Sequence, residues 1–295
     1  MSNYWSNYIQ TSEELYNNRS LRFNDNNKEM WLNAIGVRNQ QNILEVGCGG
    51  GVFCHRINSY VGDVHITGID CDEQHIQYAK DKNLELGLNC KFIVGDATNM
   101  PFEDNSFDLC FSHTVAEHVP HKLFFDEQYR ILRNNGRIVV LSVRPKLQIR
   151  YDNLLNISKE EKLLCEKAFK NTDDIFEKFD IGKFEVDEHE YPKELEKAGF
   201  RNINVDLLNI MSYAPDNYNT SPITAINQIN DNRLEALSGV YKVLNLSPNS
   251  LTIEEKDRLI ELINIRFDKR IEQYKNNEKI WDFKTTAVLV ISGYK

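Results

Sequence analysis

The sequence predicts an α/β fold: a mostly parallel sheet with helices on both faces, an antiparallel last strand and a helical cap. Three observations predict it. Between residues 42 and 143, apolar runs of strand length alternate with stretches of helical periodicity. The first run, Asn42 to Val46, breaks into glycines at Gly47, Gly49 and Gly51, as a buried parallel strand does when it turns tightly over a ligand. The next two runs each end at an acid, Asp70 and Asp96. Right-handed crossovers between such strands gather their carboxyl ends at one edge, where open α/β sheets bind ligands.

The elements justify themselves in order. Residues 1–37 read as an N-terminal arm. Thr11-Ser12-Glu13-Glu14 is a helix start, and a second helix carries Met30, Trp31, Leu32 and Ile35 and stops at Gly36. Tyr4, Trp5, Tyr8, Tyr16, Arg19 and Arg22 make this arm aromatic and basic. It is either a packed lobe or a lid whose Tyr16, Arg19 or Arg22 reaches a ligand carboxylate. Strands are expected at 42–47, 64–70, 90–95, 107–112 and 136–143, with helices at 50–60, 73–86 and 121–133 between them. Beyond Val143 a helix begins at Ser158-Lys159-Glu160-Glu161, another ends at Gly199, and a strand follows at 202–208. Residues 209–281 read as an insertion with helices near 223–245 and 252–275, and a last strand at 283–292 returns to the sheet. The chain 1–295 thus reads as a single domain with cap elements at 1–37 and 209–281.

Composition excludes several classes. The 41% apolar and 27% charged fractions suit a globular chain. A net charge of -9 argues against a broad nucleic-acid or anionic-membrane surface, so no nucleic-acid partner is expected. No apolar run approaches a membrane span, so no membrane partner is expected either. Cys48, Cys54, Cys71, Cys90, Cys110 and Cys165 form no C-x-x-C and no zinc spacing, which reads as reduced thiols and a cytoplasmic location.

The chemistry gathers at the strand ends. Asp70 lies about twenty residues beyond the glycine turn, where an acid accepts the two hydroxyls of a ribose. Its alternative is to cap the next helix. Asp96, followed by Ala97, can accept from an exocyclic amine while the Ala97 N–H faces a ring nitrogen; its alternative is to stabilise its own turn. Ser112 and His113 emerge at the same edge, followed by Glu117 and His118. A dinucleotide reading fits less well. Its fingerprint is G-x-G-x-x-G, whereas the spacing here is Gly47-x-Gly49-x-Gly51 after Glu45, and Glu45, Asp70 and Asp96 would repel a pyrophosphate.

These residues carry a resemblance. Glu45-Val46-Gly47-Cys48-Gly49-Gly50-Gly51, Gly68-Ile69-Asp70, Gly95-Asp96-Ala97, Ser106-Phe107-Asp108, Glu117-His118-Val119 and Arg130 to Gly136 resemble the class I S-adenosylmethionine-dependent methyltransferases. The likeness is to the small-molecule type related to ubiquinone and menaquinone methyltransferases, and it covers 42–143 best. One departure is Asn134-Asn135-Gly136, where relatives often carry a Pro-Gly turn. The resemblance implies a Rossmann-like class I methyltransferase sheet and S-adenosylmethionine as cofactor, with S-adenosylhomocysteine as product. It implies that Gly47, Gly49 and Gly51 pass the methionine part and that Glu45 organises the loop. Asp70 would hold the ribose, Cys71, Asp96 and Ala97 the adenine, and Ser112 or His113 backbone the amine. Some relatives bind a metal near Glu117 and His118, but Thr114 stands at the earlier acid position, so no metal is expected.

Methyl transfer is an in-line displacement, so the protein mainly aligns the acceptor and excludes water. His113, His118 and Glu117 are the candidate catalytic groups; each can equally be structural. The expected acceptor is a small molecule under the aromatic cap, and the cap helices can equally form a homodimer interface. Two other readings stay open: a non-catalytic S-adenosylmethionine-binding regulatory protein, and a methyltransferase of protein or RNA.

Overall fold

The computed structural model describes residues 5–151, 157–170 and 181–295. Tyr4 of the arm lies outside them. The apolar runs form the strands β1 (Asn42–Val46), β2 (His65–Asp70), β3 (Lys91–Val94) and β4 (Phe107–His113), all parallel to their neighbours. β5 (Leu132–Val143) continues the parallel set beside β4. With β6 (Arg201–Tyr213) and β7 (Lys284–Tyr294) they build a seven-stranded sheet in the order β3-β2-β1-β4-β5-β7-β6. β7 runs antiparallel to β5, as the sequence leads one to expect.

Two compact units share the chain. The first comprises Met1–Arg144, Asp180–Leu208 and Ala287–Lys295, and the second Pro145–Phe179 and Asn209–Thr286. In the first, helices α1 (Ser12–Arg22), α2 (Lys28–Ile35), α3 (Val52–Val61), α4 (Glu73–Glu85), α5 (His121–Ile131) and α7 (Glu190–Lys197) accompany the strands. The alternation of β1 sorts its side chains by face. Leu44 and Val46 pack with Phe124, Phe125 and Ile131 of α5 and Tyr191 and Leu195 of α7. Glu45 faces α3 instead, where Cys54 donates to it. On that face Phe53 stacks with Phe23, Trp31 and Phe111 at ring separations of 4.5, 5.6 and 5.7 Å. Each fully buried ring or aliphatic side chain contributes roughly 1.5–3 kcal/mol of hydrophobic free energy.

The second unit holds α6 (Lys159–Phe169), α8 (Pro222–Leu246) and α9 (Ile253–Lys275). Ala168, Ile229, Val240, Leu259, Ile263 and Phe267 form its core. Ser221 and Thr252 cap α8 and α9, each accepting a backbone N–H of the first turn.

Two boundaries differ from the sequence reading. The helix expected to reach residue 133 ends at Ile131, and β5 starts at Leu132 rather than at Gly136. The turn read at Asn134-Asn135-Gly136 is there, with Asn135 left-handed at φ 63°, but it sits inside the strand as a register shift against β4. The strand expected to stop at Leu208 runs on to Tyr213. Asn209 breaks the apolar alternation, yet strand pairing needs only backbone groups, and β6 lies beside β7 in the sheet; Ser212 Oγ adds a side-chain bond to the Lys284 carbonyl at 3.2 Å.

Candidate active site

Register gathers the site. Val46 at the end of β1 pairs with Ile69 on one side and Ser112 on the other. The glycine loop therefore leaves the sheet between Asp70 of β2 and His113 of β4. Gly47 and Cys48 donate their N–H groups to the Ile69 carbonyl at 2.8 and 3.0 Å. Asp70 then holds the loop directly: Oδ2 accepts the Gly49 N–H at 2.8 Å and Oδ1 accepts the Asp72 N–H at 3.0 Å. Each carboxylate oxygen has further lone pairs, so Asp70 still has capacity for ligand hydroxyls.

A cavity of about 270 Å³ opens over this edge. Its floor is Gly47, Gly49, Asp70, Cys71, Asp96 and Ala97, and its far wall includes His113, Thr114 and His118. The arm closes it with Trp5, Leu15, Arg19 and Arg22. Glycine is favoured at position 49: φ is 53°, and an added Cβ would lie 2.6 Å from Leu15 Cδ2 and 3.2 Å from Arg19 Nη1, so both arm side chains would have to shift. The arm is fastened to the β2–α4 corner. Ser6 donates through N and Oγ to Asp72, both at 2.9 Å, and Ser12 Oγ meets His75 Nδ1 at 2.8 Å.

Several expected residues stand elsewhere. Gly51 caps α3 at φ 83° and does not line the cavity. Tyr16 packs on Tyr78 and His55, at ring separations of 5.7 and 5.8 Å, outside the cavity wall. Ser112 and Glu117 are likewise behind the wall; both keep a buried side-chain oxygen without a protein partner among the described residues. Glu45 is fully buried beneath the loop, with Oε2 accepting Cys54 N at 3.2 Å and Cys54 Sγ at 3.1 Å. Burial pushes its carboxyl up to about 7. Asp96 stabilises its own turn, with Oδ1 accepting Thr98 N and Oγ1 at 2.8 and 2.7 Å, and it also lines the cavity.

Residues outside the motifs complete the wall. Arg19, one of the three arm residues considered as a carboxylate contact, is buried, donating Nη2 to the His113 carbonyl at 3.4 Å and to Thr114 Oγ1 at 3.3 Å. Its Nη1 has no protein partner among the described residues. Burial lowers its pKa, but a guanidinium keeps its proton. His75, in the first turn of α4, lines the cavity with Nε2 buried and unpartnered among the described residues. Its signal was its position, one helical turn past Asp70. Thr114 takes φ 55°, a strained value for a β-branched residue, held by its N–H to the Leu141 carbonyl at 2.8 Å. Among the described residues, no group of three His, Cys, Asp or Glu side chains is placed to hold a metal, and no helix is long and apolar enough to cross a membrane.

A parallel sheet edge with a glycine loop, an acid at the end of β2 and a second acid after β3 is the arrangement expected of a class I S-adenosylmethionine-dependent methyltransferase. A family model for the methyltransferase domain matches residues 38–199, and the chain belongs to that family. It is similar to the demethylmenaquinone methyltransferase of Staphylococcus aureus (strain JH9), with 31% identity over 178 residues, 59% of this chain and 73% of that protein. Its fold matches phosphoethanolamine N-methyltransferase 2 of Haemonchus contortus, solved with phosphomonomethylethanolamine and S-adenosylhomocysteine, at a TM-score of 0.55 and 14% identity. That match covers 100% of this chain, which spans 60% of the neighbour's length. A second structure of the Haemonchus enzyme, with S-adenosyl-L-methionine, matches at a TM-score of 0.55 and 15% identity.

Proposed function

We propose that this methyltransferase acts on a small-molecule acceptor inside the cavity under the N-terminal arm. The carrying observation is the cavity's polarity: Asp70 and Asp96 on the sheet side, and the buried, partly unpartnered Arg19 on the arm side. An amino-acid nucleoside needs this pairing of acceptors for its hydroxyls and amines with a cation for its carboxylate. Asp70 would hold the ribose, with His75 Nε2 beside it. Cys71, Asp96 and Ala97 would take the adenine, Gly47 and Gly49 the methionine backbone, and Arg19 its carboxylate. Glu45 acts through the loop above it. When bound, S-adenosylmethionine supplies a methyl group already activated on a sulfonium. The chain's own task is then to orient the acceptor and exclude water.

The arm excludes water, tied down at Ser6 and Ser12. Trp5 and His118, 4.8 Å apart edge to face, offer a wall for a flat acceptor. The similarity to a protein named demethylmenaquinone methyltransferase supports a ring-bearing acceptor of small size. Calorimetry with S-adenosylhomocysteine tests the cofactor half. Asp70→Ala is expected to weaken binding on the order of 100-fold or more, the loss of two charge-assisted hydrogen bonds. An unchanged dissociation constant would remove Asp70 from the site. Release of S-adenosylhomocysteine with a panel of small acceptors tests the enzymatic half, and tight cofactor binding with no turnover on the panel would favour a regulatory protein instead.

A further inference from the structure

We infer that His118 serves the acceptor as a hydrogen-bond donor, presenting Nε2–H into the cavity to a carbonyl or ionised hydroxyl oxygen on a flat acceptor. The occupant's identity rests on the function proposed above; the donor state rests on geometry alone. The Gly182 backbone N–H lies 3.0 Å from His118 Nδ1. A backbone N–H can only donate, so Nδ1 is the acceptor and carries no proton. A neutral imidazole has one N–H, which is therefore on Nε2. The ring cannot turn over freely, because Trp5 meets it edge to face at 4.8 Å and 66°. Both rings line the cavity, and among the described residues no protein acceptor takes the Nε2–H.

The alternative role, a general base, fails on the same contact. To accept a proton at Nε2, the ring must either become an imidazolium or move its proton to Nδ1. Each sets an N–H against the Gly182 N–H. Burial also lowers the pKa of His118 to about 4, which opposes the imidazolium. On the arm side the cavity also carries donors, opposite the Asp70 and Asp96 carboxylates. Arg19 and Arg22 line the same space; burial first, and then both charges, disfavour protonation of the neighbouring His113. Such a wall suits an acceptor oxygen that is already negative or strongly polarised, which needs no base at the moment of transfer. No proton changes hands at His118.

Nitrogen-15 labelling of histidine in the full chain, bound to S-adenosylhomocysteine, tests this by long-range proton–nitrogen correlation, with His118→Gln supplying the assignment. The expected result is an unprotonated Nδ1, a protonated Nε2, and no titration of His118 between about pH 5.5 and 8, in keeping with its burial. A protonated Nδ1, or an imidazolium forming in that range, overturns the donor role. 4-Nitro-1-naphthol, a naphthol whose hydroxyl is ionised at the upper end of that range, is the acceptor probe, followed by its absorbance. Its binding is expected to shift the Nε2–H resonance, and bound naphthol with no shift also overturns the proposal. His118→Gln, which keeps a donor, should bind the probe within about 3-fold of the parent, while His118→Phe should lose roughly 10-fold, the effect of one hydrogen bond to a charged or polar oxygen. Equal losses in both variants would make His118 a packing residue. Failure to bind S-adenosylhomocysteine would instead defeat the cofactor assignment, and cofactor binding without naphthol binding would defeat the flat-acceptor class.

Discussion

Two buried arginines, one in each unit, show what separates a structural charge from one held for a ligand. Arg270 of α9 is 0% exposed and paired with two carboxylates, although its Nη1 has no protein partner among the described residues. It donates to Asp282 through Nε and Nη2, at 2.6 Å for the shortest contact, and to Asp216 at 2.8 Å. Asp216 also accepts the Ile280 and Trp281 N–H groups, and Tyr213 donates to Asp282 at 2.7 Å. Burial opposes the charge of Arg270, but its hydrogen bonds to Asp282 and the charges of Asp282 and Asp216 win, and its pKa is raised. Arg19 is 8% exposed and has no carboxylate in ion-pair contact among the described residues. Its hydrogen bonds are long and reach only a carbonyl and a hydroxyl, and its pKa is lowered by burial. A buried cation without a partner anion is unfavourable in isolation. One aimed at a cavity edge is the arrangement expected where the anion arrives with the ligand.

That contrast can be broken by substitution. Arg270→Met should have the largest effect, about 3–5 kcal/mol of stability lost, because Asp216 and Asp282 are left buried without their counter-charge. Urea unfolding measures it, and a loss under about 1 kcal/mol would show that the network is not the unit's clasp. Arg19→Met should behave oppositely. Stability should stay within about 1 kcal/mol of the parent or rise, while affinity for S-adenosylhomocysteine falls about 30- to 300-fold for the loss of a charge-assisted contact to its carboxylate. Unfolding and calorimetry on one preparation decide it; a large stability loss with unchanged affinity would place Arg19 with Arg270.

Glu45 sharpens the comparison from the acidic side. Its carboxyl sits at about 7 in the folded chain against an ordinary 4.5. The folded state thus keeps a proton that the unfolded chain releases, so this group's contribution to stability declines as pH rises from about 4.5 to 7. Glu45→Gln should remove that decline and be the more stable protein near pH 8, by on the order of 1–3 kcal/mol, with little difference near pH 4. Thermal unfolding across that range is the measurement. A variant less stable than the parent near pH 8 would mean that Arg19 keeps Glu45 ionised in the ligand-free protein.

Much of the first unit was legible because local rules and global topology agree there. The β1 run and its glycines, Asp70, Asp96, the Gly199 helix stop and the antiparallel return all lie where the pattern places them. Misreadings came where a residue serves its own neighbourhood less than a distant one. Tyr16 looked like a ligand contact because its helix does line the cavity, but its face of α1 meets Tyr78 and His55. Arg19, three residues on, points inward. Glu117 and His118 are adjacent, yet only His118 reaches the cavity.

By itself, then, the sequence determined the order of strands and helices, the glycine turn and the two acids at the sheet edge, since these depend on spacing along one chain. Only the tertiary structure decided which side chains face one another across that edge. Arg19, His75 and Thr114 entered the wall through contacts between α1, α4 and the end of β4, and His118 acquired its proton position from Gly182, sixty-four residues away. The reason is physical. Backbone periodicity is written in neighbouring residues, whereas a side chain's charge state and direction are set by whatever the fold packs against it.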